Sequence, residues 1–188
     1  MKNSAATMLH GLKAVCLPAL LLVVFGIPPE CAAQVKKAAN RDSVIVAARE
    51  IMGQQKYCAL ATVDSSGQPH VRTMNPFPPE DDMSVWMATN SRSRKVAEIR
   101  RNARVCLYYA NHGTATGSVA ISGRAVLVTD PKEIEKRKRD YWDQAFPDKQ
   151  YLVLIKVVPE QLDVLNYSRG IVNEPLTFRS PSVVFDKQ

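Results

Sequence analysis

The sequence predicts a mainly β protein: an antiparallel barrel of six or more strands with a few peripheral helices. Three observations carry this. Short runs of β-branched and aromatic residues recur along the chain, each closed by Gly, Pro, Asn, Asp or Ser. Helical spacing interrupts them at few places. There is no regular alternation of strand with helix, which argues against a parallel βαβ sheet.

Taken in order, residues 1–33 stand apart. Lys2 and Lys13 precede an apolar run from Ala14 to Ile27, and the small residues Cys31 and Ala33 precede Gln34. This is the pattern of a secretory signal peptide cleaved after Ala33. The run contains Pro18 and falls short of the ~20 residues a membrane span needs. The expectation is a secreted, periplasmic protein with no stable membrane insertion after cleavage. Residues 34–188 then form one domain, with a barrel core at about 47–167 and an extension over 168–188.

Arg41–Gln55 has helical spacing, with Asp42 or Ser43 as N-cap and Gly53 to close it. Tyr57–Asp64 and Pro69–Phe77 read as two strands joined by a turn at Ser65–Gln68, a hairpin. In the second strand Val71 and Thr73 share one face, Arg72 and Met74 the other. After a loop at Pro78–Asp82 come a strand at Ser84–Asn90 and a helix at Ser91–Asn102, with Val96, Ala97 and Ile99 inward. Strands at Arg104–Ala110 and Ser118–Asp130 follow, and Gly123 marks a bulge or bend in the second. Asp130 caps, and Pro131 opens, a helix running to Phe146. Tyr151–Tyr167 reads as two strands broken near Pro159, and the tail has strand-like pieces at Leu176–Phe178 and Ser182–Phe185.

The net charge is +7; removing the leader's net +1 leaves +6, a protein that attracts anions. Nucleic acid is not the expected partner, because the aromatics are few and not interleaved with the basic residues. Cys58 and Cys106 lie in apolar strand runs and read as buried thiols, although an oxidising compartment permits a disulfide. His70 and His112 have no metal-ligand spacing, so no metal site is expected. Neither a Gly-rich phosphate loop nor a Gly-x-Ser-x-Gly elbow is present.

The informative stretch is Ala88-Thr89-Asn90-Ser91-Arg92-Ser93-Arg94-Lys95. A strand ends and a helix begins in a run of hydroxyls and cations. A helix start carries free N–H groups and partial positive charge, so it suits an anion. Arg and Lys in that first turn oppose the helix dipole unless an anion offsets them. Arg94 offers a fork and Lys95 a point charge, while Ser91 or Ser93 caps. A solvated basic turn is the plain alternative. Arg72 shifts the balance: a mid-strand charge among apolar neighbours needs a partner.

The ordered set Arg72-Thr73-Met74, Ala88-Thr89-Asn90, Ser93-Arg94-Lys95, Asn102-x-x-Val105-x-Leu107-Tyr108-Tyr109 and Ser122-Gly123-Arg124-Ala125 resembles the FMN-binding split-barrel superfamily, which holds the pyridoxamine 5′-phosphate oxidases and the general stress flavoproteins. The resemblance spans roughly Ala47 to Tyr167 and implies a split β-barrel with FMN as cofactor. It further implies a homodimer with each flavin at the subunit interface. Carried over by position, Arg72, Arg94 and Lys95 hold the flavin phosphate, Ser93 starts the helix, and Thr73, Met74, Ala88 and Thr89 lie along the flavin. Ser118 falls where the oxidases carry a longer Gln, a departure. Trp86 reads as core or interface. The C-terminal tail departs further: the oxidases end with a Trp and an Arg-x-His-like segment, for which Phe178 and Arg179 are the candidates here, with Arg179 as a plain edge-strand residue the alternative. The activity implied is a flavin-dependent oxidoreductase acting on a small organic substrate, with no catalytic residue assigned. The alternatives are flavin binding without turnover, or a different ligand such as a deazaflavin or haem, for which His70 and His112 would be the axial candidates.

Overall fold

The computed structural model describes residues 40–186; the leader expected at 1–33 lies outside them. Helix α1 (Arg41–Gly53) is capped by Asn40, whose side chain accepts from the Ser43 N–H at 2.8 Å, rather than by Asp42 or Ser43 as the sequence suggested. It buries Val44, Ala47, Ala48, Ile51 and Met52. The hairpin follows as β1 (Cys58–Val63) and β2 (Pro69–Met74), paired from Cys58↔Met74 to Val63↔Pro69. The Asp64 carboxylate ties its turn by accepting from the N–H groups of Ser66 and Gln68, and Gly67 supplies the φ of 89° the turn needs.

The remaining elements are β3 (Val85–Asn90), α2 (Arg94–Arg101), β4 (Arg104–Ala110), β5 (Gly117–Val128), α3 (Pro131–Lys136), α4 (Trp142–Ala145), β6 (Leu152–Asn166) and β7 (Ser182–Val184). All strand pairs are antiparallel, in the order β2-β1-β4-β5-β6-β3, with β7 also on β6. The two ends of this path meet. Pro76 bridges to Met87, and the Phe77 N–H donates to the Trp86 carbonyl at 2.8 Å. That contact closes the sheet at one end only. Continuing its register would put Met74 opposite Thr89 and Arg72 opposite Ser91, but β2 and β3 make no ladder there. The barrel is split along this seam.

The interior holds one large apolar cluster, including Leu60, Met87, Leu107, Ile121 and Leu162, and α1 covers it. A second cluster lies under α3 and α4, where Trp86, Trp142, Leu152 and Leu154 pack with Phe77 and Phe146. Trp142 meets both phenyl rings edge-on, at 6.1 and 6.0 Å between centroids. Among the described residues no helix is long and apolar enough to cross a membrane.

Four expectations are corrected. The helix expected from Ser91 starts at Arg94, and Ala97 faces solvent while Glu98 is buried. The helix expected over Pro131–Phe146 is broken into α3 and α4. The intervening basic residues take long-range partners: Arg137 binds Glu80 at 2.8 Å and lies 3.7 Å over the Trp86 ring, and Arg139 donates to Asn75 Oδ1 and the Pro76 carbonyl, each at 2.8 Å. β6 is one continuous strand, because Pro159 sits at a bulge opposite Gly123, where the missing N–H costs no ladder bond. Leu176–Phe178 is not a strand but a turn organised by the Glu174 carboxylate, with Phe178 at a φ of 55°.

Cys58 and Cys106 are both free. Cys58 faces the core and Cys106 the outer surface of the sheet, so the two thiols are not aimed at each other. Burial pushes the Cys58 thiol up to about 11, which makes it a poor nucleophile.

Candidate functional site

The open seam between β2 and β3 is where the sequence-predicted cations meet. β2 alternates as expected: Val71 and Thr73 are exposed, Met74 is buried and Arg72 is mostly covered. Arg72 therefore points inward. Its guanidinium donates to the Thr62 hydroxyl and, at 2.9 Å, to the Glu98 carboxylate. Across the seam β3 ends in half-buried Ala88 and buried Thr89. The Thr89 hydroxyl accepts from Lys95 Nζ at 3.1 Å. The chain then turns through Ser91, Arg92 and Ser93 into α2.

This junction has the features of an anion site. Ser93 is the N-cap, yet its hydroxyl makes no capping bond; it is buried without a hydrogen-bond partner. Arg94 is two-thirds exposed and is held at one edge by Glu98, Nε to Oε1 at 3.2 Å. The Lys95 ammonium is pulled below its ordinary pKa by burial and then by the nearby Arg72, against the opposing pull of Glu98. Positive charge is thus crowded into a partly dehydrated seam at a helix start, where N–H groups are free by construction. Arg92, from the same basic run, serves elsewhere: it stacks 3.5 Å over the Tyr151 ring.

The structure brings together Arg72, Thr89, Ser93, Arg94 and Lys95; Met74 packs in the main core, and Ala88, on the opposite face of β3 from Thr89, packs against the second apolar cluster. Thr73 is on the same strand as Arg72 but faces outward. Ser118 is not at the seam. It pairs with Ala110 and Leu165 on the outer face of β5, three strands from β2 and so roughly 14 Å across the sheet. Arg179 stands on the exposed turn at 174–179 and makes no ion pair with the cluster. Trp86 packs in the second apolar cluster.

Sequence reasoning missed Thr62, Glu98 and His70 as neighbours of the cations. Glu98 accepts from the Thr62 hydroxyl and lies 3.9 Å from His70 Nε2, and His70 in turn bonds Asp64 at 2.9 Å. Burial acts to raise the Glu98 pKa, but the Thr62 hydroxyl, Arg72 and His70 together hold it below the usual carboxylate range. The available signal was the spacing of Arg94 and Glu98, one helical turn apart.

A curled antiparallel sheet, split between β2 and β3 with a basic helix start at the split, defines a split-barrel protein. The sequence pattern of pyridoxamine 5′-phosphate oxidase matches residues 46–166, well over half the chain. The chain belongs to the pyridoxamine 5′-phosphate oxidase family. Solved structures agree on the fold. A Clostridium acetobutylicum protein related to general stress protein 26 of B. subtilis is 17% identical, with 69% of this chain and 92% of that one covered at a TM-score of 0.60. The general stress protein 26 of Bacillus anthracis is 21% identical, with coverage of 66% and 92% and a TM-score of 0.55. A pyridoxamine 5′-phosphate oxidase-related, FMN binding protein of Nostoc punctiforme is 18% identical, with coverage of 78% and 97% and a TM-score of 0.51. No functionally curated protein matches the sequence.

Proposed function

We propose that this protein binds FMN at the β2–β3 seam and uses it to move electrons to or from a small organic substrate. The observation that carries the reading is the Ser93 hydroxyl, buried without a partner at the start of the helix whose first turn carries Arg94 and Lys95. An oxygen-rich dianion fits that donor set. Arg94, Lys95 and Ser93 hold the phosphate, Arg72 supports it from β2, and Thr89 lines the seam. Bound flavin would supply the electron chemistry; the protein fixes and shelters it. A homodimer is part of the same proposal, since the outward-facing Ser118 reaches a flavin only from a second copy. So is export: loss of residues 1–33 would place flavin uptake outside the cytoplasm, which sequencing the N-terminus of protein recovered from the periplasm would test.

The haem alternative draws less support. His70 is engaged by Asp64, and His112 sits on an exposed loop beside the Tyr108 ring.

The test is an absorption spectrum after FMN is added and the protein desalted. The wild type is expected to retain a two-band flavin spectrum. Arg94→Ala/Lys95→Ala is expected to bind FMN roughly 100-fold more weakly, the loss of two charge-assisted contacts. Its thermal stability should hardly change, because Arg94 is largely solvated. A colourless wild type, or a double variant that holds FMN as well as the wild type, would overturn the assignment.

A further inference from the structure

Among the described residues Glu98 is the one charged side chain in the fully buried class, with 4% of its side chain exposed. Its position is what makes it informative. It lies on α2 one turn beyond Arg94, and its carboxylate faces Thr62 on β1, His70 and Arg72 on β2, and Arg94 on its own helix. Two of the three cations assigned above to a phosphate are therefore already meeting an anion, and that anion belongs to the chain.

We propose that Glu98 is a resident counter-ion of the phosphate cradle, which competes with the incoming phosphate monoester for Arg94 and Arg72 and so sets how tightly the site takes it. This rests on the reading of the seam as a phosphate site. The three cations and Glu98 together carry a net charge of +2, matched to a phosphate dianion; without the carboxylate they carry +3.

Two effects of Glu98 oppose each other, and magnitudes separate them. As a positioner it helps little. An exposed i,i+4 ion pair to Arg94 is a weak restraint, and Arg72 keeps the Thr62 hydroxyl and the Leu60 carbonyl, at 3.4 Å, without it. As a charge it matters more, because it sits out of water beside the cations, where Coulomb terms are screened least. The net expectation is that the carboxylate weakens phosphate binding in exchange for a stable ligand-free protein. Arg94 is free to make the change, since it is two-thirds exposed and gives Glu98 only its Nε edge. A ligand takes over Arg94 without disturbing β2.

The experiment titrates FMN and riboflavin into wild type, Glu98→Gln and Glu98→Asp, reading quenching of flavin fluorescence, with melting curves of each ligand-free protein. Glu98→Gln is expected to bind FMN roughly tenfold more tightly, an electrostatic gain of the size expected for a partly buried pair. It should leave riboflavin affinity unchanged and melt at a lower temperature without ligand. Glu98→Asp, which keeps the charge but withdraws it, is expected to fall between the two and serves if the Gln variant does not fold. Equal or weaker FMN binding by either folded variant would overturn the proposal while leaving the FMN reading standing. A wild type that binds no FMN would remove the FMN reading itself, so the two failures are distinguishable.

Discussion

Replacing Arg72 by Ala is expected to lower the free energy of unfolding by about 3–5 kcal/mol at neutral pH, the loss that follows when one partner of a buried ion pair is removed. The ladder from β2 to β1 would survive, since Arg72 pairs with Leu60 through its backbone. What would not survive is the balance at Glu98. The Thr62 hydroxyl would still bond the carboxylate, but the nearest full cation would be the solvated Arg94. The pH dependence carries the sign. In the wild type Glu98 is held below its ordinary pKa, so its contribution is present above the unfolded-state value and lost as pH falls through the folded one. In the variant, burial acts unopposed by Arg72 and lifts the folded-state pKa. Glu98 then favours the fold only when protonated, and that support fades as pH rises. The gap between variant and wild type should therefore narrow as pH drops from about 7 towards about 4. Urea melts at the two ends of that range measure it. A constant gap, or one under about 1 kcal/mol at neutral pH, would mean that Arg72 and Glu98 are not coupled as described.

The second large effect is expected at Gly123, for a different physical reason. A Cβ there would stand 2.2 Å from the Val158 carbonyl oxygen and 3.1 Å from Pro159 Cα, both backbone atoms of β6. Neither can move without opening the longest pairing in the sheet, that of β5 with β6. Gly123→Val is expected to cost about 3 kcal/mol or more in denaturant melts. Gly53 is the control. Nothing lies within 4 Å of a Cβ there, and it ends helix α1, so Gly53→Ala is expected to be neutral or to stabilise by up to about 1 kcal/mol. If Gly123→Val were as stable as the wild type, the close approach of β5 and β6 would be wrong.

The fold was legible in the sequence wherever local pattern and tertiary demand coincide. The β1–β2 hairpin, the inward Arg72 and Met74, and the irregularity at Gly123 follow from alternation and turn chemistry. Errors arose where a distant partner overrode a local signal. Pro159 reads as a strand break, yet it is tolerated because Gly123 opposite lets the strands approach at a bulge. Residues 137–141 have helical spacing, yet Arg137, besides its partner Glu133 one turn back, reaches Glu80, and Arg139 is held by Asn75 and the Pro76 carbonyl. The cations of the site were legible because Arg and Lys at a helix start are locally unfavourable. Their internal partner was not, because no rule of spacing says that Glu98 would be turned inward onto Thr62 and Arg72. The seam itself arises from a pairing between residues about ten apart, Pro76 and Met87, across a loop the sequence does not shape by itself.

The way helix α1 is held has a consequence for how the protein comes into being. α1 precedes every described strand, and although Arg49 binds the carbonyls of Pro79, Glu80 and Asp81, several of its partners come last. Asn166 donates to the Ala47 carbonyl at 3.2 Å, Arg169 pairs with Glu50, and Arg41 donates to the Val184 carbonyl at 2.8 Å and lies over the Phe185 ring. During synthesis Val44, Ala47, Ile51 and Met52 would emerge ahead of every described strand and would wait for those contacts while some 140 residues followed them. The helix cannot complete these contacts until β6 and β7 exist. Assembly of this molecule is therefore a matter of arrival order: the first of the described elements to be synthesised is among the last to finish docking, and the nascent chain must keep that apolar face from other partners until its own far end appears.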